Sequence, residues 1–257
     1  MADYVDIEQA RHMSGLRMIL LPGVPSPWGE AAKGVFWAKR IPFVRVRYDL
    51  GGPNAALREW TGQTSAPVAL WNDERPRTTW VDQLLLAERL GPEPPLIPAD
   101  PEQRALMLGL SHEICGEMGL GWCMRLIALH PGLQDADSSG DTFLRALAWK
   151  YGYTPAAAEA APRRVAEILG LLHTRLERQQ RGGHRYLMGE RLTAVDIYWA
   201  TFAAMILPLP DEQCPMPEML RQTYTNADPV VQAAASPLLL AHRDHVYRAY
   251  LQLPVDL

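Results

Sequence analysis

Thr193 and Asp196 stand three residues apart, directly before the run Ile197 to Leu207, and no other spacing constrains this chain so strongly. A threonine at a helix N-cap accepts the backbone N–H of the third helical residue, and an acid at that position reaches back to the N–H of the cap. Asp is shorter than the usual Glu, but its charge also suits the positive end of the helix dipole. Leu192 and Ile197 have the spacing of the hydrophobic staple that fixes the entry angle. Gly189 relaxes the turn ahead of the cap. The run behind it, IYWATFAAMIL, is too continuously apolar for a surface helix. A buried, self-capped helix is therefore expected in the second half.

A chain of 257 residues allows one large domain or two small ones. With 48% hydrophobic and 21% charged residues it is composed like an ordinary globular protein. A net charge of -4 leaves no basic footprint for nucleic acid. The three cysteines, Cys115, Cys123 and Cys214, form neither a C-x-x-C pair nor a metal-ligand spacing, which points to a reducing cytoplasm rather than a disulfide scaffold. The opening residues carry charges of both signs without an apolar core, so no secretory leader is expected. No apolar run has the length to span a bilayer, so no membrane partner is expected.

Residues 1–15 read as an extension. Arg17 to Leu21 is a short apolar run ending at Pro22-Gly23, as a buried strand running into a turn does. Ser26 followed by Pro27 fits an N-cap with proline at the first helical position, and a helix to about Lys39 follows. Phe43 to Tyr48 alternates with period two, so this stretch reads as a strand–helix–strand unit with a parallel pair. A short helix is expected around Ala55 to Trp60, a strand at Ala66 to Trp71, a short return strand at Arg77 to Thr79, and a helix from Trp80 to Leu90. A strand opening on Pro67 is where a cis proline belongs. The proline-rich stretch Gly91 to Pro101 is the clearest boundary, and everything beyond it reads helical, with a break near Gly119 to Gly121.

This order of elements resembles the glutathione transferase superfamily: a thioredoxin-like N-terminal domain, here 16–91, followed by an all-helical bundle, here 101–257. The pattern Gly-x-x-x-Thr-x-x-Asp from Gly189 to Asp196 is similar to that family's capping box. Ser26-Pro-Trp-Gly-Glu through Arg40-Ile-Pro42 resembles its first helix, where a catalytic Ser or Cys stands at the start; Arg40 replaces the usual Gly. Ala66-Pro67-Val68 matches the family's Val-Pro element, with Ala for Val. Continuing from Pro67, the family's Glu-Ser pair falls on Thr78 and Thr79, so the acid is missing and Asp82, one turn along, is the available substitute.

The resemblance implies glutathione as co-substrate and a small-molecule electrophile as its target. Ser26 would stabilise the thiolate, Ala66 and Pro67 would align the cysteinyl backbone, and Thr78, Thr79 and Trp28 would complete the binding surface. It further implies a cytoplasmic homodimer. The chemistry of Ser26 has its own physical ground: a hydroxyl near a helix N-terminus sits in positive potential and can donate to a sulfur anion, lowering the thiol pKa. Trp28, Met118, Trp122 and Arg125 are candidates for lining a co-substrate site, although aromatic and Met residues at helical spacing are more often core. Lys33, Lys39, Arg45 and Arg47 read first as surface charges. The missing acid at Thr78 leaves a second reading open, a non-catalytic module of the same fold that binds a partner or serves a structural role.

Overall fold

The strand β2, Leu16–Leu20, is buried at every position, and a four-stranded sheet is built around it. In the computed structural model, which describes residues 3–135, 141–225 and 228–257, this sheet has the order β1-β3-β2-β4. β1 is Tyr4–Val5, β3 is Val44–Arg47 and β4 is Val68–Trp71. β3 runs parallel to both β1 and β2, whereas β4 is antiparallel to β2 with Ile19 opposite Val68. The expected parallel strand–helix–strand unit is present as β2, α2 (Pro27–Ala38) and β3. Around the sheet lie α1 (Ile7–Arg11), α3 (Ala55–Thr61) and α4 (Trp80–Leu90). The return strand expected at Arg77 to Thr79 is only a single bridge, Ala69 to Arg77.

Residues 1–15 are not a mere extension. Among those described, β1 pairs with β3, and the buried Arg17 donates to the carbonyls of Ala10 (3.3 Å), Met13 and Asn72. A guanidinium has no acceptor capacity, so its burial in an apolar strand requires such carbonyls, and the N-terminal segment supplies two of them. At the other end of α2, Arg40 adopts φ 56, the left-handed backbone that glycine enters without a steric penalty.

Two compact units divide the chain. The first comprises Met1–Ile97, Leu209–Pro217 and Val246–Leu257; the second comprises Pro98–Pro208 and Glu218–His245. The second is helical among its described residues. It contains α5 (Pro101–Cys115), α6 (Leu120–Gln134), α7 (Thr142–Lys150), α8 (Pro155–Arg181) and α9 (Ala194–Phe202), the last continuing as a short 3-10 turn, Ala203–Met205. It also contains α10 (Glu218–Tyr224), α11 (Pro229–Ala234) and the first part of α12 (Pro237–Tyr250). α5 and α6 are separated where the break was expected. Gly119 is needed there, because a Cβ would stand 2.7 Å from the Glu113 carbonyl oxygen. No described helix is long and apolar enough to cross a membrane.

The second unit is centred on α9, every residue of which is buried. Its capping box is closed as the sequence predicts, and the carboxylate of Asp196 does more than cap. Oδ2 accepts from the Thr193 N–H and the Thr193 hydroxyl, both at 2.9 Å. Oδ1 accepts from the Leu187 N–H at 2.8 Å and from His242 Nε2 at 2.9 Å. A carboxylate oxygen accepts, so Nε2 is the ring nitrogen that carries hydrogen. The residue has 0% exposure, so each of these donors loses its only partner if the carboxylate goes. Asp196→Ala is expected to destabilise the protein by about 3 kcal/mol, more than the roughly 1 kcal/mol of an exposed cap. Urea denaturation followed by tryptophan fluorescence checks this, and a midpoint equal to the parent's would contradict it.

Candidate functional site

The six residues that the resemblance assigns to glutathione all lie in the first unit, and the sheet register brings their elements to one end of it, whereas Met118, Trp122 and Arg125 lie in the second unit. β2 ends at Leu20, and its loop leads to Ser26 at the N-cap of α2. Pro67 directly precedes Val68, which pairs with Ile19 near that same end. Arg77 is bridged to Ala69, and two residues further on Thr79 caps α4. Two helix N-termini and the start of an antiparallel strand therefore meet at the C-terminal end of β2.

Ser26 has extended backbone dihedrals, with Pro27 at the first helical position. Its carbonyl accepts from the Glu30 N–H and its own N–H donates to Val24, each at 2.7 Å. The hydroxyl, however, makes no capping bond, and no partner for it exists among the described residues. Ser26 is thus the N-cap residue that the sequence leads one to expect, but its hydroxyl is not used in that role. Gly29 adds no side chain beside it; a Cβ there would lie 3.9 Å from Oγ. Trp28, in the first turn of α2, is half-buried.

The Ala66–Pro67 peptide is cis, as the sequence leads one to expect. Its carbonyl side is held by a residue that the sequence reading missed. The buried Gln83 on α4 donates its carboxamide to Pro67 O at 3.3 Å and to Arg77 O at 3.2 Å. One amide thereby joins the proline turn, the bridge residue and the helix that Thr79 opens. A lone Gln on an amphipathic helix carries no pattern that would reveal this.

Thr78 and Thr79 are both exposed. The Thr79 hydroxyl accepts from the Asp82 N–H at 3.2 Å and donates to Asp82 Oδ2 at 3.0 Å. Asp82 also faces Arg75 at 3.1 Å. A carboxylate thus stands one turn into α4, in direct contact with Thr79.

Behind Ser26 lies a second group of charges. Glu30 pairs with Lys33 at 2.8 Å, and both side chains are only 11% exposed. Lys33 Nζ also donates to the Asp256 carbonyl at 2.5 Å, while the Asp256 carboxylate pairs with Arg45 at 2.5 Å. Val255 N–H donates to Gln213 O at 2.7 Å, so residues near 256 are fixed against both the 209–217 segment and α2. Lys39 has a side chain with 0% exposure, bound to Glu88 at 2.7 Å and to the carbonyls of Gly91 and Pro94. Lys33 and Lys39 therefore correct the surface-charge reading. Their partners lie far along the chain, where local patterning carries no trace of them.

The helical half matches a family model, the glutathione S-transferase C-terminal domain, over residues 136–227. Among solved structures, a glutathione S-transferase of Methylobacterium radiotolerans in complex with glutathione sulfonate superimposes with a TM-score of 0.61 at 17% identity, covering 93% of each chain. One from Methylobacillus flagellatus with glutathione bound gives 0.62 at 16% identity, covering 92% of this chain and 97% of its own. Rice GST1 in complex with glutathione gives 0.59 at 19% identity, over 95% and 94%. No curated protein matches the sequence. The fold is that of the glutathione transferases, a thioredoxin-like sheet domain and a helical domain. Residues 136–227 thus match the C-terminal domain of the glutathione S-transferases, and the chain as a whole shares the fold of their solved structures.

The charge cluster behind Ser26 makes a pH prediction. Burial pushes the Glu30 pKa up, and the nearby Lys33 offsets this only in part. A carboxylate with a raised folded pKa favours the fold below its unfolded pKa and loses that contribution as pH rises through the folded value. Glu30→Gln removes this titration. Its thermal midpoint, relative to the parent, is expected to move in favour of the variant from about pH 4 upward. A difference that stays flat across the series would contradict the burial argument.

Proposed function

We propose that the chain is a glutathione-dependent enzyme in which Ser26 stabilises the glutathione thiolate for attack on a small electrophile. The observation that carries this reading is the Ser26 hydroxyl, which stands at the start of α2 unused by its own helix. A free thiol with pKa near 8.5 is only about 3% ionised at neutral pH. A donated hydrogen bond and the positive helix end favour the anion, and a shift of about two units makes most of the thiol reactive. The Ala66–Pro67 backbone, braced by Gln83, offers main-chain groups to the cysteinyl part. The N-terminus of α4, with Thr78 and Thr79, takes the γ-glutamyl carboxylate, and Asp82 takes its ammonium in place of the acid absent at Thr78. These residues all fall within the proposed glutathione domain 16–91, and Trp28 adds an aromatic surface beside Ser26.

Conjugation, isomerisation, reduction and ether cleavage share the same first requirement, an ionised glutathione sulfur. Glutathione in two of the similar structures, and its sulfonate in a third, supports the choice of thiol. All three cysteines are free and buried, which suits the reducing cytoplasm in which this thiol abounds. A homodimer, the assembly suggested by the resemblance, completes the reading.

The hydroxyl does no capping, so Ser26→Ala should leave the thermal midpoint close to the parent's. The same variant should lose the thiolate absorbance of bound glutathione at neutral pH. Turnover of a generic electrophile should fall by about 10- to 1000-fold, the effect of removing one oriented donor to an anion. Full activity in the folded variant would remove Ser26 from the mechanism, and a parent that neither binds nor turns over glutathione would favour the non-catalytic module.

A further inference from the structure

Arg125, in the middle of α6, has its guanidinium carbon 5.8 Å from the centre of the Tyr224 ring at the end of α10. Burial lowers the Arg125 pKa, but the phenols of Tyr224 and of Tyr151, which follows α7, outweigh it and raise it. Lys150 Nζ lies 5.7 Å from the centre of the Tyr151 ring. Burial lowers its pKa first, and the charge on Arg125 lowers it further. Trp122, one turn before Arg125, meets the Tyr151 ring edge-on at 5.0 Å and donates Nε1–H to the Tyr151 carbonyl at 2.9 Å. Two cations and three aromatic rings thus converge where α6, α7 and α10 meet.

What this group lacks is a negative charge. No carboxylate among the described residues pairs with Arg125 or Lys150, and none contributes to the electrostatics of either. Elsewhere in the same unit arginines are paired: Arg164 with Glu113 at 2.5 Å, Arg181 with Glu177 at 2.8 Å. The phenols do not fill the gap. Burial raises the pKa of Tyr151, so this phenol stays neutral near pH 7. A neutral phenol that accepts from a guanidinium brings no charge to offset it, so the two cations stay uncompensated among the described residues. Two like charges held together against aromatic walls cost free energy that a bound anion would relieve.

We propose that the helical unit carries a binding site for a small aromatic carboxylate. Arg125 takes the carboxylate through its planar fork, Lys150 adds a second charge from the exposed rim, and Trp122 with Tyr151 provides an apolar wall for the ring. Arg and the rim Lys differ in role: the guanidinium fixes geometry, whereas the ammonium acts as a point charge. The site is read from the helical unit alone and stands apart from the role of Ser26.

The test is calorimetric titration of the full chain with benzoate, in the absence of glutathione, beside the neutral isostere benzamide. Benzoate should bind and benzamide should not, and the affinity should fall as salt is raised. Arg125→Gln should weaken benzoate by about 10- to 100-fold, as expected for losing a charge-assisted pair of hydrogen bonds. Lys150→Gln, a substitution that keeps the length of an exposed residue, should weaken it by about threefold or more. If Arg125→Gln fails to fold, Lys150→Gln decides. No benzoate binding up to about 10 mM, equal binding of benzamide, or unchanged affinity in folded Lys150→Gln would each overturn the site. Because no glutathione is present, failure here leaves the Ser26 reading untouched, and the reverse holds as well.

Discussion

Each oxygen of the Asp196 carboxylate is used twice, and the four donors come from three separate stretches of chain. Two belong to Thr193 at the cap of α9, one to the Leu187 backbone in the loop before it, and one to His242 on α12. A carboxylate taken wholly out of water costs several kcal/mol unless its lone pairs are satisfied, and here all of them are. The loop is held in place for this purpose by α8, whose Arg175 donates to Leu187 O at 2.8 Å and whose Gln179 donates to Gly189 O at 3.2 Å. Trp199 adds a further tie, from Nε1 to the Leu239 carbonyl at 3.0 Å. The buried helix α9 thus has its start, its approach and its neighbour α12 fixed by one side chain. α5 packs on this helix, and α6 and α11 pack on α8, so the remaining helices follow from that centre.

The sheet unit solves a different problem, that of bringing the starts of α2, β4 and α4 to one end of β2. Antiparallel pairing of β2 with β4 sets Ile19 against Val68, which fixes where the turn at Pro67 must lie relative to the end of β2. The crossover through α2 then returns the chain to β3, parallel to β2, and leaves the start of α2 at that same end. Gln83 closes the arrangement by tying Pro67 and Arg77 to α4. The buried cations have a supporting part. Lys39 holds Gly91 and Pro94 to the end of α2 through their carbonyls, so the proline-rich segment leaving the sheet unit is anchored, not a loose tether.

Much of this was legible because it is local. A capping box spans three residues, a strand at Leu16–Leu20 shows itself as an apolar run, and a proline beginning a strand points to its own peptide geometry. The start of α2 followed from Ser26-Pro27. The features that escaped are those whose cause lies elsewhere in the chain. Lys33 resembles a solvated charge until Asp256 arrives from 223 positions away. Residues 3–15 carry too short an apolar pattern to announce a strand, and only pairing with β3 makes one. Gln83 and His242 have no periodicity to betray them; each is defined by the acceptor it meets. Arg40 shows the reverse case. The absent glycine was visible, but its consequence, a left-handed residue that keeps its side chain, appears only in the backbone.

The central claim is that the sheet end around Ser26 binds glutathione and ionises its thiol. Calorimetric titration of the protein with glutathione near pH 7, repeated in buffers of different ionisation enthalpy, tests both parts at once. Saturable binding at or below millimolar glutathione is predicted, with release of about one proton per site, because a thiol mostly protonated in solution becomes an anion when bound. Absence of heat at several times that concentration, or binding with no proton released, would contradict the account.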